Sequence, residues 1–332
     1  GGTGFVGSYL LRYLIGEGYT NIRALRRKQS HMDLVRDIQH HIEWVDCDIL
    51  DVIGLEDAME GIRQVFHCAA LISFNPAERA LMKQVNVEGT ANVVNTGLFR
   101  GVEKLVHVSS IAAIGRTKQG VTISENAKWE RSHYNSKYAI SKYMAEREVW
   151  RGHAEGLPAN IINPSMILGA GRWDDGPQKF FKLVWKRLSY YPRGANGFVD
   201  VRDVVRMMAE LMEKDISGQR FIANSSSLSY RQLMEMIASK LGMPAPKAPL
   251  NPLLTELVWR WEWIRSKING QPPTVTKETA YHTSRTFYYD NSKSKEQLSF
   301  EYIPIEKTIA DIAPSFLDAA QHDFESRIFQ FA

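Results

Sequence analysis

Apolar positions along the 332-residue chain repeat at two alternating periods, and these predict its elements. Leu10, Leu11, Leu14 and Ile15 recur at helical spacing just behind the opening, and Gly18 stands where that helix can end. Short apolar runs at 21–25, 42–48, 65–70 and 104–108 read as strands, with a long helix expected over 76–99. Farther on, a short strand is expected at 198–201, a helix at Val201–Glu213, a strand at 220–224 and a helix at Tyr230–Leu241 stopped by Gly242 and Pro244. Strands alternating with helices predict an α/β fold with a doubly wound parallel sheet, in which ligands bind beyond the carboxyl ends of the strands. From Pro249 the composition changes. Leu253, Leu254, Leu257, Val258, Trp261, Ile264 and Ile268 fall at helical spacing and read as core, leaving Trp259 and Trp263 on another face. Packing under the tail is expected of that pair; an apolar substrate wall and a membrane-surface helix are the alternatives.

The opening GGTGFVG sets Gly1, Gly4 and Gly7 three residues apart, with Phe5 and Val6 between the last two, directly ahead of the first helix. Glycine is needed where such a turn is tight and where backbone approaches a pyrophosphate, and the helix N-terminus offers unpaired N–H groups to the anion. A strand leading into Gly1 is expected. Just past the second strand an NAD site presents an acid to the ribose, whereas an NADP site presents basic groups to the 2′-phosphate. Between Gly18 and Met32 there is no Asp or Glu; Arg23, Arg26, Arg27 and Lys28 stand there instead. NADP is therefore expected, with Arg27 first and Arg26 second as phosphate ligands and NAD as the alternative. Asp48 and Ile49 offer an edge and a face to an adenine. Ala69 and Ala70 end a strand with side chains small enough for a cofactor to lie against the backbone, and His67 reads as a core histidine.

Tyr138 and Lys142 lie four residues apart, so on a helix both can point at one bound molecule. A cation beside a phenol favours the phenolate and brings proton transfer toward neutral pH. Ser109 and Ser110 follow the strand at 104–108, where a serine either meets a ligand or caps a turn. Asn86 and Gly89 cost stability inside a helix, which points to another reason for their presence.

Composition changes this picture little. A formal net charge of +4 is small for the length and does not argue for nucleic acid, which calls for a basic stripe. Cys47 and Cys68 sit in apolar runs with no CxxC and no His/Cys metal spacing; both read as buried reduced thiols of an intracellular protein, and no metal is expected. No apolar run approaches the roughly 18 residues of a spanning helix, so a membrane role is not expected and a cytoplasmic location is.

GGTGFVG, Asp48-Ile49, HCAA, NVEGT, VSSIAAIG, YAISK, NPSMILGAG and FVDVRDV occur in an order and spacing that resemble the extended short-chain dehydrogenase/reductase family, which includes nucleotide-sugar epimerases and dehydratases, dihydroflavonol-reductase-like enzymes and 3β-hydroxysteroid dehydrogenases. The resemblance is specific through about Asp203 and loose beyond Pro244. It implies a Rossmann domain over 1–168, with 197–224 returning to it, and a smaller substrate region over 169–196 and 225–332. Tyr138 is implied as the catalytic acid/base and Lys142 as the group that binds the nicotinamide ribose and lowers the tyrosine pKa. Ser110, with Ser109 as its less favoured neighbour, is implied to hydrogen-bond the substrate oxygen, and Asn86 to steady the helix and a proton-relay water. Asn163, Pro164 and Ser165 resemble the loop that passes the nicotinamide toward the substrate. Residues 290–293 and a helix near 304–312 resemble the closing segment, followed by an amphipathic tail to Ala332.

The activity expected is hydride transfer between NADP(H) and a carbonyl or alcohol of a small, partly apolar substrate, in a homodimer formed through the helices at 76–99 and 138–150. An epimerase or dehydratase with tightly bound NAD is the enzymatic rival. The basic loop, the aromatic substrate region and the absence of a tyrosine before Gly115 speak against it. A non-catalytic NADP-binding sensor is the rival from another class, and intact Tyr138 and Lys142 speak against that.

Overall fold

In a computed structural model, which describes residues 1–115, 120–130, 132–269 and 283–328 together with Glu278 and Tyr281, the opening glycines make a turn closed by Gly4 N–H to the Gly1 carbonyl at 3.1 Å. Helix α1 (Phe5–Gly16) starts there and ends where Gly18 takes φ +86°, as the glycine stop predicts. Strands β1 (Arg23–Arg26) and β2 (Glu43–Asp46) then pair in parallel. After α2 (Val52–Ala58) come β3 (Gln64–His67), α3 (Arg79–Lys83), α4 (Gly89–Phe99), β4 (Lys104–Val108), the short β5 (Thr122–Ile123), α5 (Lys137–Ala154) and β6 (Ala159–Pro164). The later elements are β7 (Met166–Leu168), α6 (Lys179–Trp185), β8 (Tyr190–Tyr191), β9 (Ala195–Asp200), α7 (Val201–Glu213), β10 (Gln219–Ala223), β11 (Ser226–Ser229), α8 (Tyr230–Leu241), β12 (Ala248–Pro249), α9 (Pro252–Asn269), β13 (Tyr288–Tyr289), α10 (Ser292–Leu298) and α11 (Ile305–Gln321).

The central sheet runs β10-β6-β4-β3, all parallel, and apolar residues cover both of its faces. On β4 the alternation divides the core in two: Leu105 packs with Leu55, Val93, Val94 and Val149 of α2, α4 and α5, while Val106 packs with Tyr9, Leu10, Val204 and Met208 of α1 and α7. This is the doubly wound arrangement the strand–helix alternation predicts. A second sheet, β11-β9-β7, is backed by α6, α8 and α11 around Trp173, Phe181, Phe198, Leu233 and Phe316.

Three elements depart from expectation. The single helix expected over 76–99 is interrupted by one wide π turn at Gln84–Glu88, which carries Asn86. Such turns insert an extra residue and are frequent at functional sites. Helix α11 runs on past 312 because Ala313, Phe316 and Ala319 continue its buried face. In α9 the described members of the stripe read as core are turned outward: Leu257, Trp261 and Ile264 are 64%, 66% and 44% exposed, with Trp263 at 54%, while Trp259 is half-buried. A helical period identifies a face but not what lies against it. The side chains of Leu253, Leu254, Val258 and Ile268 lie outside the description.

The tail folds back rather than standing apart. Trp173 donates to the Glu325 carbonyl at 3.1 Å, Arg327 N–H to the Gly171 carbonyl at 3.2 Å, and Ser326 to Asp33 at 2.7 Å; residues 329–332 lie outside the described residues. Cys47 is buried as expected, but Cys68 is only half-buried. Burial pushes both thiols up to about 11, so neither is ionised at neutral pH. No described helix is long and apolar enough to cross a membrane, and no group of His, Cys, Asp and Glu among the described residues is arranged to hold a metal.

Candidate active site

The glycine turn is built so that only hydrogen fits at two of its positions. A Cβ on Gly1 would lie 2.6 Å from the Ala69 nitrogen, and one on Gly7 would lie 2.1 Å from the Gly1 carbonyl oxygen. No side chain caps α1 at Gly4, and Ser8 N–H is the first to bond back, to Gly4 O at 2.8 Å. The N–H groups of the first turn, at Phe5, Val6 and Gly7, are therefore offered outward, which is the cradle a pyrophosphate needs. Ala69 lies against this turn, and Ala70 follows it. The residues present fit a dinucleotide.

At the end of β1 the two arginines separate. Arg26 is engaged by Asp46, Nε to Oδ1 at 2.8 Å, whereas Arg27 is exposed and its backbone N–H donates to the Ser30 hydroxyl at 3.0 Å. Asp48 is half-buried and caps its own turn at Leu50 N–H. Ile49 is not presented as a free face: it is buried, with its Cδ1 2.5 Å from where a Gly89 Cβ would stand. Gly89 is in the helix because Ile49 occupies its side-chain space. Asn86, on the π turn, accepts from Leu71 N–H at 2.7 Å and donates to the Leu71 carbonyl and the Ser141 hydroxyl, each at 3.0 Å. It ties the segment after β3 to α5.

Helix α5 is started by Ser136, whose hydroxyl accepts from Ala139 N–H, and its first two turns carry Tyr138 and Lys142. Lys142 is 1% exposed, and its ammonium donates to the Val108 carbonyl at 2.9 Å and lies 3.3 Å from His107 Nε2. Burial brings its pKa down to about 8, against upward pulls from Glu146 and Cys68. Cys68, whose carbonyl carbon lies 2.6 Å from where a Gly1 Cβ would stand, also feels the Lys142 ammonium, so the glycine turn and α5 converge just past the end of β3. Burial pushes the Tyr138 phenol up to about 12, and the facing Ser110 hydroxyl pulls the other way. The ammonium is directed at the sheet, so the lowering of the phenol pKa that the resemblance implies for Lys142 is not what this conformation shows.

Ser110 does both things its position allows: its hydroxyl caps the turn at Ala112 N–H, 3.1 Å away, and faces Tyr138. Its carbonyl accepts from Asn163 Nδ2 at 2.9 Å. Ser109 is buried; its hydroxyl lowers the Glu146 pKa without the geometry of a full hydrogen bond. Pro164 and Ser165 are buried at the end of β6, the Ser165 hydroxyl donating to the Ala223 carbonyl at 3.1 Å.

Beside His67, several residues at the site carried no signal of their own in the sequence. His67 and His107 are partners in the β3–β4 register, their rings 4.9 Å apart. Burial, then the Lys142 charge, holds both imidazoles neutral, His67 at about 3. Thr90 spends its proton on the Asn86 carbonyl at 2.7 Å, leaving its oxygen to accept from His67 Nε2 at 3.0 Å. His67 is the satisfied core histidine expected of it. Glu146, one turn past Lys142 on the same helix face, was legible only as spacing. Phe74 meets the Tyr138 ring edge-on at 6.2 Å, and Trp129 stacks on Tyr143 at 4.1 Å above Gly115, whose φ of +93° no ordinary side chain adopts readily. Of the aromatics expected on the substrate side, Trp173 and Phe181 are instead fully buried in the second core.

Comparison with known proteins places the chain in a family. Residues 1–223 match the family described as NAD dependent epimerase/dehydratase. A protein of Synechocystis sp. named as a dihydroflavonol 4-reductase is 31% identical over 323 residues, covering 94% of this chain and 91% of its own. Sterol demethylase protein B of Methylococcus capsulatus is 29% identical, covering 95% and 96%. The crystal structure of gox2253 superposes with a TM-score of 0.81 at 28% identity over 98% of both chains. The chain belongs to the NAD dependent epimerase/dehydratase family and is an NAD(P)-dependent oxidoreductase of the extended short-chain dehydrogenase/reductase type.

Proposed function

We propose that the enzyme transfers hydride between NADP(H) and a carbonyl or alcohol of a small, partly apolar substrate. The observation that carries this is the meeting of the Tyr138 phenol and the Ser110 hydroxyl beside a buried Lys142, next to the glycine turn. When bound, the nicotinamide supplies or takes up the hydride. Tyr138, protonated at neutral pH in this state, gives its proton to the substrate oxygen in the reducing direction, and Ser110 donates a hydrogen bond that orients that oxygen. Of the three Lys142 donors one is on the Val108 carbonyl and one faces the neutral His107 Nε2, which leaves the third for the ribose or for the phenolate that forms. Asn86 holds the segment after β3 and α5 in register.

In this reading Gly1, Gly4, Phe5, Val6 and Gly7 hold the pyrophosphate, Ala69 and Ala70 let the cofactor lie against the backbone, Asp48 meets the adenosine, and Asn163, Pro164 and Ser165 flank the nicotinamide. Arg27 takes the 2′-phosphate, since Arg26 is already paired with Asp46. Residues 1–168 and 197–224 form the dinucleotide side, and 169–196 with 225–332 the substrate side. A partly apolar substrate is supported by Phe74 against Tyr138 and by relatives named for flavonol and sterol chemistry. A cytoplasmic homodimer, formed through the helices at 76–99 and α5, belongs to the same proposal.

The test is a titration of NADPH against NADH followed by a panel of carbonyls from aromatic ketones to sugar nucleotides, with wild type beside Tyr138→Phe. Turnover of an apolar ketone with NADPH, lost in Tyr138→Phe while cofactor still binds, is expected. Unchanged turnover in Tyr138→Phe refutes the assignment. Cofactor that copurifies tightly and is regenerated on a sugar nucleotide makes the enzyme an epimerase or dehydratase instead.

A further inference from the structure

Beneath the reacting groups lies a buried carboxylate that the proposed chemistry does not use. Glu146 is 1% exposed, on α5 one turn beyond Lys142 and two beyond Tyr138. Its Oε1 accepts from Asn163 Nδ2 at 2.5 Å, and the same nitrogen donates to the Ser110 carbonyl at 2.9 Å. From the other side Arg220 of β10 approaches Oε2 at 3.5 Å, while Ser109 faces the carboxylate from the end of β4. Arg220 is itself fixed, Nε donating to the Glu125 carbonyl at 2.9 Å.

The amide of Asn163 has two possible orientations, and its surroundings select one. With the nitrogen inward it serves two acceptors; turned over, its oxygen would face two acceptors and both contacts would be repulsive. Its Oδ1 is left buried without a hydrogen bond, which is the cost of holding the nitrogen where it is.

We propose that Glu146 is a positioning residue for Ser110: by fixing the amide of Asn163 it clamps the Ser110 backbone and thereby aims the Ser110 hydroxyl at Tyr138 and the substrate oxygen. Ser110 caps the turn at Ile111–Ile114, its hydroxyl accepting from Ala112 N–H at 3.1 Å and its carbonyl from Ala113 N–H at 2.9 Å, and the Asn163 amide ties this locally bonded unit to β6, which sets where the hydroxyl stands relative to Tyr138. The inference rests on the hydride-transfer reading for its kinetic consequence but not for its geometry.

Glu146→Gln keeps the shape, and because the Arg220 guanidinium faces the outer oxygen and holds an acceptor there, the amide nitrogen is turned toward Asn163, which removes the preference between its two orientations. A misplacement of this kind costs on the order of 10²-fold in kcat, with KM for the dinucleotide unchanged. The decisive experiment is a double-mutant cycle with Ser110→Ala. Once the hydroxyl is gone there is nothing left to aim, so Glu146→Gln in the Ser110→Ala background is expected to cost less than about twofold. Full additivity overturns the proposal, as does a Glu146→Gln enzyme with unchanged kcat.

A second readout does not depend on turnover. With Tyr138 replaced by 3-fluorotyrosine, the fluorine resonance of the cofactor-free protein reports the facing hydroxyl. Its titration is expected to move to higher pH in Ser110→Ala and in the same direction in Glu146→Gln, with no further change in the double variant. If Glu146→Gln leaves the titration in place while Ser110→Ala moves it, Glu146 does not act through Ser110. That result stands whether or not the enzyme proves to be a carbonyl reductase.

Discussion

The Lys142 ammonium donates to the Val108 carbonyl at 2.9 Å, and this bond fastens the helix that carries Tyr138 to the strand that leads into Ser110. The cation is thus a structural tie as well as a reactive group. It is an expensive one, because burial holds its pKa at about 8, below the 10.5 of a free lysine.

Replacing Lys142 with Met separates the two roles. Relief of the desolvation penalty is worth roughly 3 kcal/mol by the size of the shift, and loss of a partner for the Val108 carbonyl costs about 1–3 kcal/mol. Stability at neutral pH should therefore change little or rise, while turnover falls by about 10²-fold or more. Between pH 8 and 10.5 the unfolded wild type binds the proton that the folded state has released, so wild-type stability rises with pH relative to the variant across that window. Denaturant unfolding of both proteins at several pH values measures the difference; a flat difference refutes it.

Gly7→Ala places a methyl 2.1 Å from the Gly1 carbonyl oxygen, with backbone on both sides and nothing flexible to yield. Overpacking of this kind costs about 1–3 kcal/mol, and the turn must open to relieve it. Dinucleotide binding, followed by fluorescence titration, should be lost at concentrations that saturate the wild type, and the thermal midpoint should fall.

The separation of Arg26 from Arg27 predicts unequal effects on cofactor choice. Arg27→Glu should lower the preference for NADPH over NADH by about 10- to 100-fold, the worth of one hydrogen bond to a charged group. Arg26→Ala, which removes a partner of Asp46 rather than of the ligand, should change the preference by less than about threefold. Ratios of kcat/KM for the two cofactors check both; equal effects would return Arg26 to the phosphate site.

Asp33 joins distant parts of the chain. Against the upward push of burial, hydrogen bonds from Arg172 at 2.9 Å and Ser326 at 2.7 Å bring its pKa down to about 2. A carboxylate depressed in the folded state contributes stability that is present above its unfolded pKa of 3.8 and lost as pH falls toward 2. Asp33→Asn should be less stable at neutral pH and show a flatter acid limb over that range. Superimposable acid unfolding curves would show that the contact carries no energy.

The glycine turn, the strands β3 and β4, and the spacing of Tyr138 and Lys142 on one helix were legible in the sequence because each is set by a few adjacent residues with one strong physical requirement. The direction of the Lys142 ammonium was not, since it depends on a carbonyl 34 residues earlier. Glu146 shares a helix face with Lys142, but its role depends on Asn163 and Arg220, which come from two other strands. The stripe in α9 misled for the complementary reason: its spacing was read correctly, and nothing local states which side meets solvent.

The wide turn at Gln84–Glu88 works as a phase offset in the rod formed by α3 and α4. One extra residue rotates everything downstream by roughly 100°, so Asn86 can reach back to Leu71 while Gly89 still receives Ile49. A chain shortened by a single residue there would gain a regular helix and lose the meeting of its two ends.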